Sequence, residues 1–102
     1  MNAPAPLNVL IVDDEAPARA RLKELLADVR GEIATRVAGE AANGLEVIER
    51  LPASGAQVLL LDIQMPGMAG IEVARHLGRL EHAPAIVFVT AHDRHEIGRA
   101  HV

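Results

Sequence analysis

The chain has 102 residues, half of them hydrophobic, with Phe88 as its single aromatic and a net charge of −4. That length allows one small domain, whose core must be built from Leu, Val, Ile and Ala, which suits helices layered on a sheet. The absence of cysteine excludes disulfides, thiolate zinc sites and thiol catalysis, and the acidic balance argues against a general nucleic-acid surface.

Residues 1–6, with Pro4 and Pro6 among small residues, specify nothing regular and read as a disordered lead. They hold neither a basic segment nor an apolar core, so they are not a secretory signal, and no apolar stretch approaches bilayer length. A cytoplasmic protein without a membrane partner is expected. The run Leu7-Asn8-Val9-Leu10-Ile11-Val12 reads as a first strand that closes on Asp13 and Asp14. A helix follows, with acids at 13–15, Pro17 in its first turn and an apolar face of Ala18, Leu22, Leu25, Leu26 and Val29. Arg19, Lys23 and Glu24 fall outside that face, and Gly31 ends the element.

A weaker strand spans roughly Ile33 to Val37 and is expected at an edge, because Thr35 and Arg36 interrupt its apolar run. Asn43-Gly44 turns the chain into a short helix with Leu45, Val47, Ile48 and Leu51 apolar, broken by Pro52 and Gly55. Gln57 to Asp62 forms the third strand, and Met65-Pro66-Gly67-Met68-Ala69-Gly70 a tight loop. A third helix carries Ile71, Ala74, Leu77 and Leu80 on one face, and the fourth strand runs from Ala85 to Val89, ending on Thr90-Ala91. Alternating strands and helices favour an α/β fold with a parallel sheet and right-handed crossovers.

Two apolar strands that stop abruptly on acids deliver Asp13, Asp14 and Asp62 to the sheet's carboxyl edge, where open α/β sheets bind ligands. An oxygen-lined pocket of that kind suits Mg²⁺. A carboxylate alone is a poor nucleophile toward phosphorus, since phosphoryl oxygens repel it; a divalent cation neutralises the repulsion and orients both partners. Asp62 is the better nucleophile candidate, because the glycine-containing loop after it leaves room for an incoming phosphoryl group. Thr90, at the end of a neighbouring strand, could donate its hydroxyl to a phosphoryl oxygen, and the Ala91 backbone N–H could do the same. Each residue alone has a plainer reading. Asp13 or Asp14 could cap the first helix, Asp62 could form an ordinary turn, and Thr90 could be structural. The combination at three strand ends is less common by chance.

Leu10-Ile11-Val12-Asp13-Asp14-Glu15, Leu60-Leu61-Asp62-Ile63-Gln64-Met65-Pro66-Gly67-Met68-Ala69-Gly70 and Val87-Phe88-Val89-Thr90-Ala91 together resemble the receiver domain of two-component response regulators. The wording around Gln64 and Thr90-Ala91-His92-Asp93 is most similar to receivers of the LytTR type. The resemblance covers residues 7 to about 95 and implies a flavodoxin-like, doubly wound parallel sheet. It further implies phosphorylation of Asp62 by a partner histidine kinase, with Mg²⁺ bound by Asp14, Asp62 and the Gln64 backbone carbonyl and by Asp13 mainly through water. Thr90 would be the switch hydroxyl. Receivers of this type usually precede a DNA-binding module, so DNA would be a partner only through an output domain absent from this chain.

The pattern is incomplete. A full receiver continues into a fifth strand with a lysine, then a fifth helix; Lys23, the one lysine, sits in the first helix and cannot play that part. Residues 96–102 fit neither helix nor strand and match what a widely used sequencing adapter encodes, which suggests a non-native tail after a receiver truncated near residue 95. Such a chain is expected to be marginal or aggregation-prone, with its fourth strand an unprotected edge. His92, His95 and His101 then read as a solvated tail rather than a metal site, and His76 and His82 as exposed. The leading reading is a phospho-acceptor and not an enzyme. A haloacid-dehalogenase-type phosphatase would place its two acids two apart rather than adjacent as in Asp13-Asp14, and no glycine-rich loop after the first strand supports nucleotide binding. A pseudo-receiver that is never phosphorylated is the alternative, for want of the lysine. Dimerisation cannot be read from these residues.

Overall fold

In the computed structural model, which describes residues 5–62 and 70–89, strands and helices alternate. They are β1 (Leu7–Val12), α1 (Ala16–Asp28), β2 (Thr35–Ala41), α2 (Gly44–Ser54), β3 (Val58–Asp62), α3 (Gly70–Leu77) and β4 (Ala85–Val89). The sheet order is β2-β1-β3-β4, with every neighbouring pair parallel. From β1 the chain steps outward to β2, then returns past β1 to lay β3 on its other side. That reversal is the doubly wound, flavodoxin-like arrangement expected from the sequence. The described residues hold no fifth strand and no fourth helix.

Alternation along the strands sends Leu10, Val12, Leu59 and Leu61 toward one face, where they pack with Val47 and Leu51 of α2 and Val73 and Leu77 of α3. Val9 and Ile11 are as fully buried but face the opposite way, toward α1. No residue of α1 is fully buried. At the amino edge Asn8 of β1 is tied to β2 and to the segment between α2 and β3. Its side chain accepts from Arg36 Nε (3.0 Å) and donates to Gly55 O (3.3 Å), while its backbone N–H donates to Gln57 Oε1 (3.0 Å).

The second strand lies at the sheet edge, as its polar interruptions suggest, but it starts later and runs longer than Ile33 to Val37. Its pairing with β1 slips by one residue: Val9 faces Val37, whereas Leu10 faces Gly39. The extra residue is Ala38, a β-bulge that reverses the alternation downstream. Val37 therefore faces α1, Glu40 pairs beside Ile11 on that same side, and Ala41 joins the α2 core beside Val12. Gly39 permits the close approach, since a Cβ there would lie 3.3 Å from Leu10 Cδ1.

Three further expectations are corrected. Pro52 does not break α2, which continues to Ser54; it stands in the last turn, where Ser54 Oγ donates to Leu51 O, and the helix ends on left-handed Gly55 (φ 67°). The buried stripe of α3 is Val73 and Leu77, four apart, while Ile71 and Leu80 are exposed. On α1 and α2, Leu25 and Leu45 point to solvent. His76 and His82 are exposed, as expected.

Candidate functional site: three carboxylates at the strand ends

The pairing of Val12 with Leu61 brings the ends of β1 and β3 side by side, so Asp13 and Asp62 emerge as neighbours. Between these two strands the winding reverses, which opens a crevice beyond their carboxyl ends. Asp13, Asp14 and Asp62 each present a carboxylate oxygen there, all within 4.8 Å of one another. Asp13 is 4% exposed and Asp62 8%, whereas Asp14 is open to solvent. Among the described residues this is the one such group of potential metal ligands.

Asp13 is fixed at several points. Its N–H donates to Ala41 O (3.1 Å), extending the ladder one residue beyond β1. One carboxylate oxygen accepts the Glu15 N–H (3.0 Å), and its carbonyl accepts Arg19 Nη1 (2.7 Å). The helix cap is Glu15, whose side chain makes no capping bond, so neither Asp13 nor Asp14 caps α1. Asp13 instead stabilises the turn that carries the chain out of the sheet.

Burial pushes the Asp13 carboxyl above the usual aspartate range, and the charges of Asp62 and Asp14 push the same way; the Glu15 N–H opposes them. Three crowded carboxylates form an all-oxygen donor set, and a hard divalent cation is the group such a set fits. Gln64, Thr90 and Ala91, the remaining residues expected at this site, lie outside the described residues, as do residues 63–69, the three late histidines and residues 96–102.

Two residues beside the site, Arg19 and Glu40, were not singled out as site residues from the sequence. Arg19 divides its guanidinium between Asp13 O and Glu40 Oε1, the latter at 2.8 Å, and Lys23 Nζ takes Glu40 Oε2 at 2.7 Å. These two donors hold the Glu40 carboxyl below its usual range, Lys23 foremost. One signal was present: Arg19 and Lys23 stand one helical turn apart.

Residues 9–101 match the response regulator receiver domain family. The positive alginate biosynthesis regulatory protein of Pseudomonas aeruginosa is 42% identical over 87 residues, 85% of this chain and 34% of that protein. The transcriptional regulatory protein BtsR of Salmonella typhi is 44% identical over 91 residues, 89% of this chain and 36% of BtsR. Among solved structures, the signal receiver domain of the putative response regulator NarL from Mycobacterium tuberculosis superposes with a TM-score of 0.76. It is 32% identical, and the alignment covers 92% of this chain and 73% of that one. The chain thus spans about a third of the length of the curated relatives it matches.

Proposed function

The chain belongs to the response regulator receiver domain family, and on that premise we propose that it accepts a phosphoryl group on Asp62 from a partner histidine kinase. The observation that carries this reading is the convergence of Asp13, Asp14 and Asp62 within 4.8 Å at the sheet's switch point. In the transfer a carboxylate oxygen of Asp62 forms a bond to phosphorus as the phosphorus–nitrogen bond of the donor phosphohistidine breaks. Asp62 ends β3 next to the buried end of β1 and pairs with Val89 of β4, so its backbone is held by the sheet.

Asp13, Asp14 and Asp62 would hold Mg²⁺, joined by the backbone carbonyl of Gln64. When bound, the ion supplies charge neutralisation at the phosphoryl oxygens. Thr90 and the Ala91 amide would donate hydrogen bonds to the phosphoryl oxygens. Such a site stores a signal rather than turning over substrate. Among the described residues no helix is long and apolar enough to cross a membrane, and the reading places the protein in the cytoplasm. The transcriptional regulators among its relatives suggest that phosphorylation controls DNA binding by a separate output domain. The narrower likeness to LytTR-type receivers rests on motif wording alone; the matched relatives do not single out that type.

Incubation with a small acyl phosphate and Mg²⁺, read by intact mass, tests the proposal. One phosphoryl adduct that disappears in Asp62→Asn is expected; an adduct that survives this change contradicts it. A second reading is a receiver-shaped interaction module that is not phosphorylated, in which Lys23 of α1 stays paired with Glu40 of β2 at 2.7 Å. Absence of any adduct in the folded wild-type chain would favour it.

A further inference from the structure

We propose that Arg19 is a positioning residue for the carboxylate pocket, clamping the Asp13 peptide to the bulged strand β2 through Glu40 and so presetting the pocket for a divalent cation. The inference deepens the reading of this pocket as a cation site and rests on it.

The clamp begins at the bulge. Without the extra residue Ala38, alternation would carry Glu40 to the α2 face, away from α1. With it, Glu40 pairs beside Ile11 on the α1 side, and its carboxylate meets Arg19 and Lys23 at 2.8 and 2.7 Å. Glu40 is also anchored from the opposite layer, where Arg50 Nη1 of α2 donates to its carbonyl (2.6 Å). The end of β2 is therefore a fixed post between both helical layers.

Arg19 connects this post to the pocket. Its Nε and Nη1 point in directions set by one rigid plane; Nε takes Glu40 Oε1 and Nη1 takes Asp13 O (2.7 Å). The Arg19 side chain is 19% exposed, against 44% for Lys23, so its bonds compete less with water. Asp13 is then held at its N–H by Ala41 O, at its carbonyl by Arg19 and at its carboxylate by the Glu15 N–H. Like charges on crowded carboxylates repel one another, and the arginine fixes the turn that carries Asp13 without taking a ligand oxygen, because it bonds the carbonyl. Partners that orient ligands from outside commonly set metal affinity by about tenfold or more. Lys23 shares the ion pair but has no bond to Asp13, which makes it the internal control.

The test is Mn²⁺ and Mg²⁺ affinity of the full 102-residue chain, measured for wild type, Arg19→Lys, Lys23→Gln and Glu40→Gln, with melting temperatures alongside. Arg19→Lys keeps the charge near Glu40 but loses the fork, and is expected to weaken Mn²⁺ binding about tenfold. It should also diminish the Mg²⁺-induced shift of the Asp14 amide resonance. Lys23→Gln is expected to stay within about twofold of wild type at a comparable melting temperature, since it touches no part of the Asp13 peptide. Equal affinity of Arg19→Lys and wild type overturns the proposal, as does an equal loss in Lys23→Gln. If Arg19→Lys does not fold, Glu40→Gln decides: weakened binding supports the clamp, and unchanged binding refutes it. A wild-type chain that binds neither ion overturns the cation site and the clamp together. A wild type that binds, beside an Arg19→Lys that binds equally well, overturns the clamp alone.

Discussion

The two faces of the sheet are built from the same strands yet are finished differently. On the α2–α3 side, Leu10, Val12, Leu59 and Leu61 meet Val47, Leu51, Val73 and Leu77 in a continuous buried cluster. On the α1 side, Val9 and Ile11 are equally buried, but the helix above them contributes only half-buried residues. Toward β4 the α1 side opens further: Val87, opposite Leu60 on that side, is 48% exposed. Strand residues of similar hydrophobicity thus differ in burial according to what lies across from them. The carboxylate pocket sits where the two faces meet, at the strand ends. One side of it rests on the closed core, and the other is secured by polar contacts from α1 rather than by packing.

Truncation across the two faces should break or sharpen this contrast most strongly. Leu59→Ala, in the closed cluster, is expected to destabilise the chain by about 3 kcal/mol. Val87→Ala, half exposed, should cost under about 1 kcal/mol. Chemical denaturation of both variants measures the difference, and equal losses would remove it. Native-state hydrogen exchange gives a finer view, with the amides of α1 opening before those of α2 because fewer buried apolar contacts hold them.

Asn8→Ala should cost about 1 kcal/mol, mostly from its bonds to Arg36 and Gly55 at the amino edge, and leave cation binding at the opposite edge unchanged. Altered cation affinity in that variant would mean that the two ends of the sheet are coupled.

The smallest effect concerns pH. Glu40 titrates below its ordinary range, so its stabilisation is complete above about pH 4.3 and is lost as the pH falls through the lowered folded value. Glu40→Gln should therefore be less stable than wild type at neutral pH, with the gap closing in acid. Asp13 works in the opposite sense: its raised folded value means that stability is gained as the pH drops through it. A Glu40→Gln deficit independent of pH would show that the ion pairs with α1 contribute nothing.

Much of the fold was legible because apolar runs ending on acids are a strong local signal. Val58-Leu59-Leu60-Leu61 before Asp62 announces both a strand and the position of its charged end. The edge position of β2 was readable from Thr35 and Arg36. Its extent was not, because a bulge is decided by cross-strand fit, here Gly39 against Leu10. Missing the bulge hid the destination of Glu40, and with it the purpose of Arg19. In α3 the expected stripe was Ile71, Ala74, Leu77 and Leu80, and packing against α2 and the sheet selects Val73 and Leu77 instead. Pro52 misled because a proline tolerated in a last helical turn looks, in sequence, like a helix breaker. At the site, sequence reasoning found all three carboxylates but left open whether Asp13 caps a helix; its bond to the Glu15 N–H answers that.

The most direct measurement locates the phosphoryl group itself. The folded chain is treated with a small acyl phosphate and Mg²⁺, the acyl phosphate on the protein is reduced with borohydride, and the resulting homoserine is placed by peptide sequencing in a mass spectrometer. Homoserine is expected at position 62 when Mg²⁺ is present and none when it is chelated. Homoserine at position 13 or 14, or labelling of position 62 that ignores the cation, would contradict that expectation.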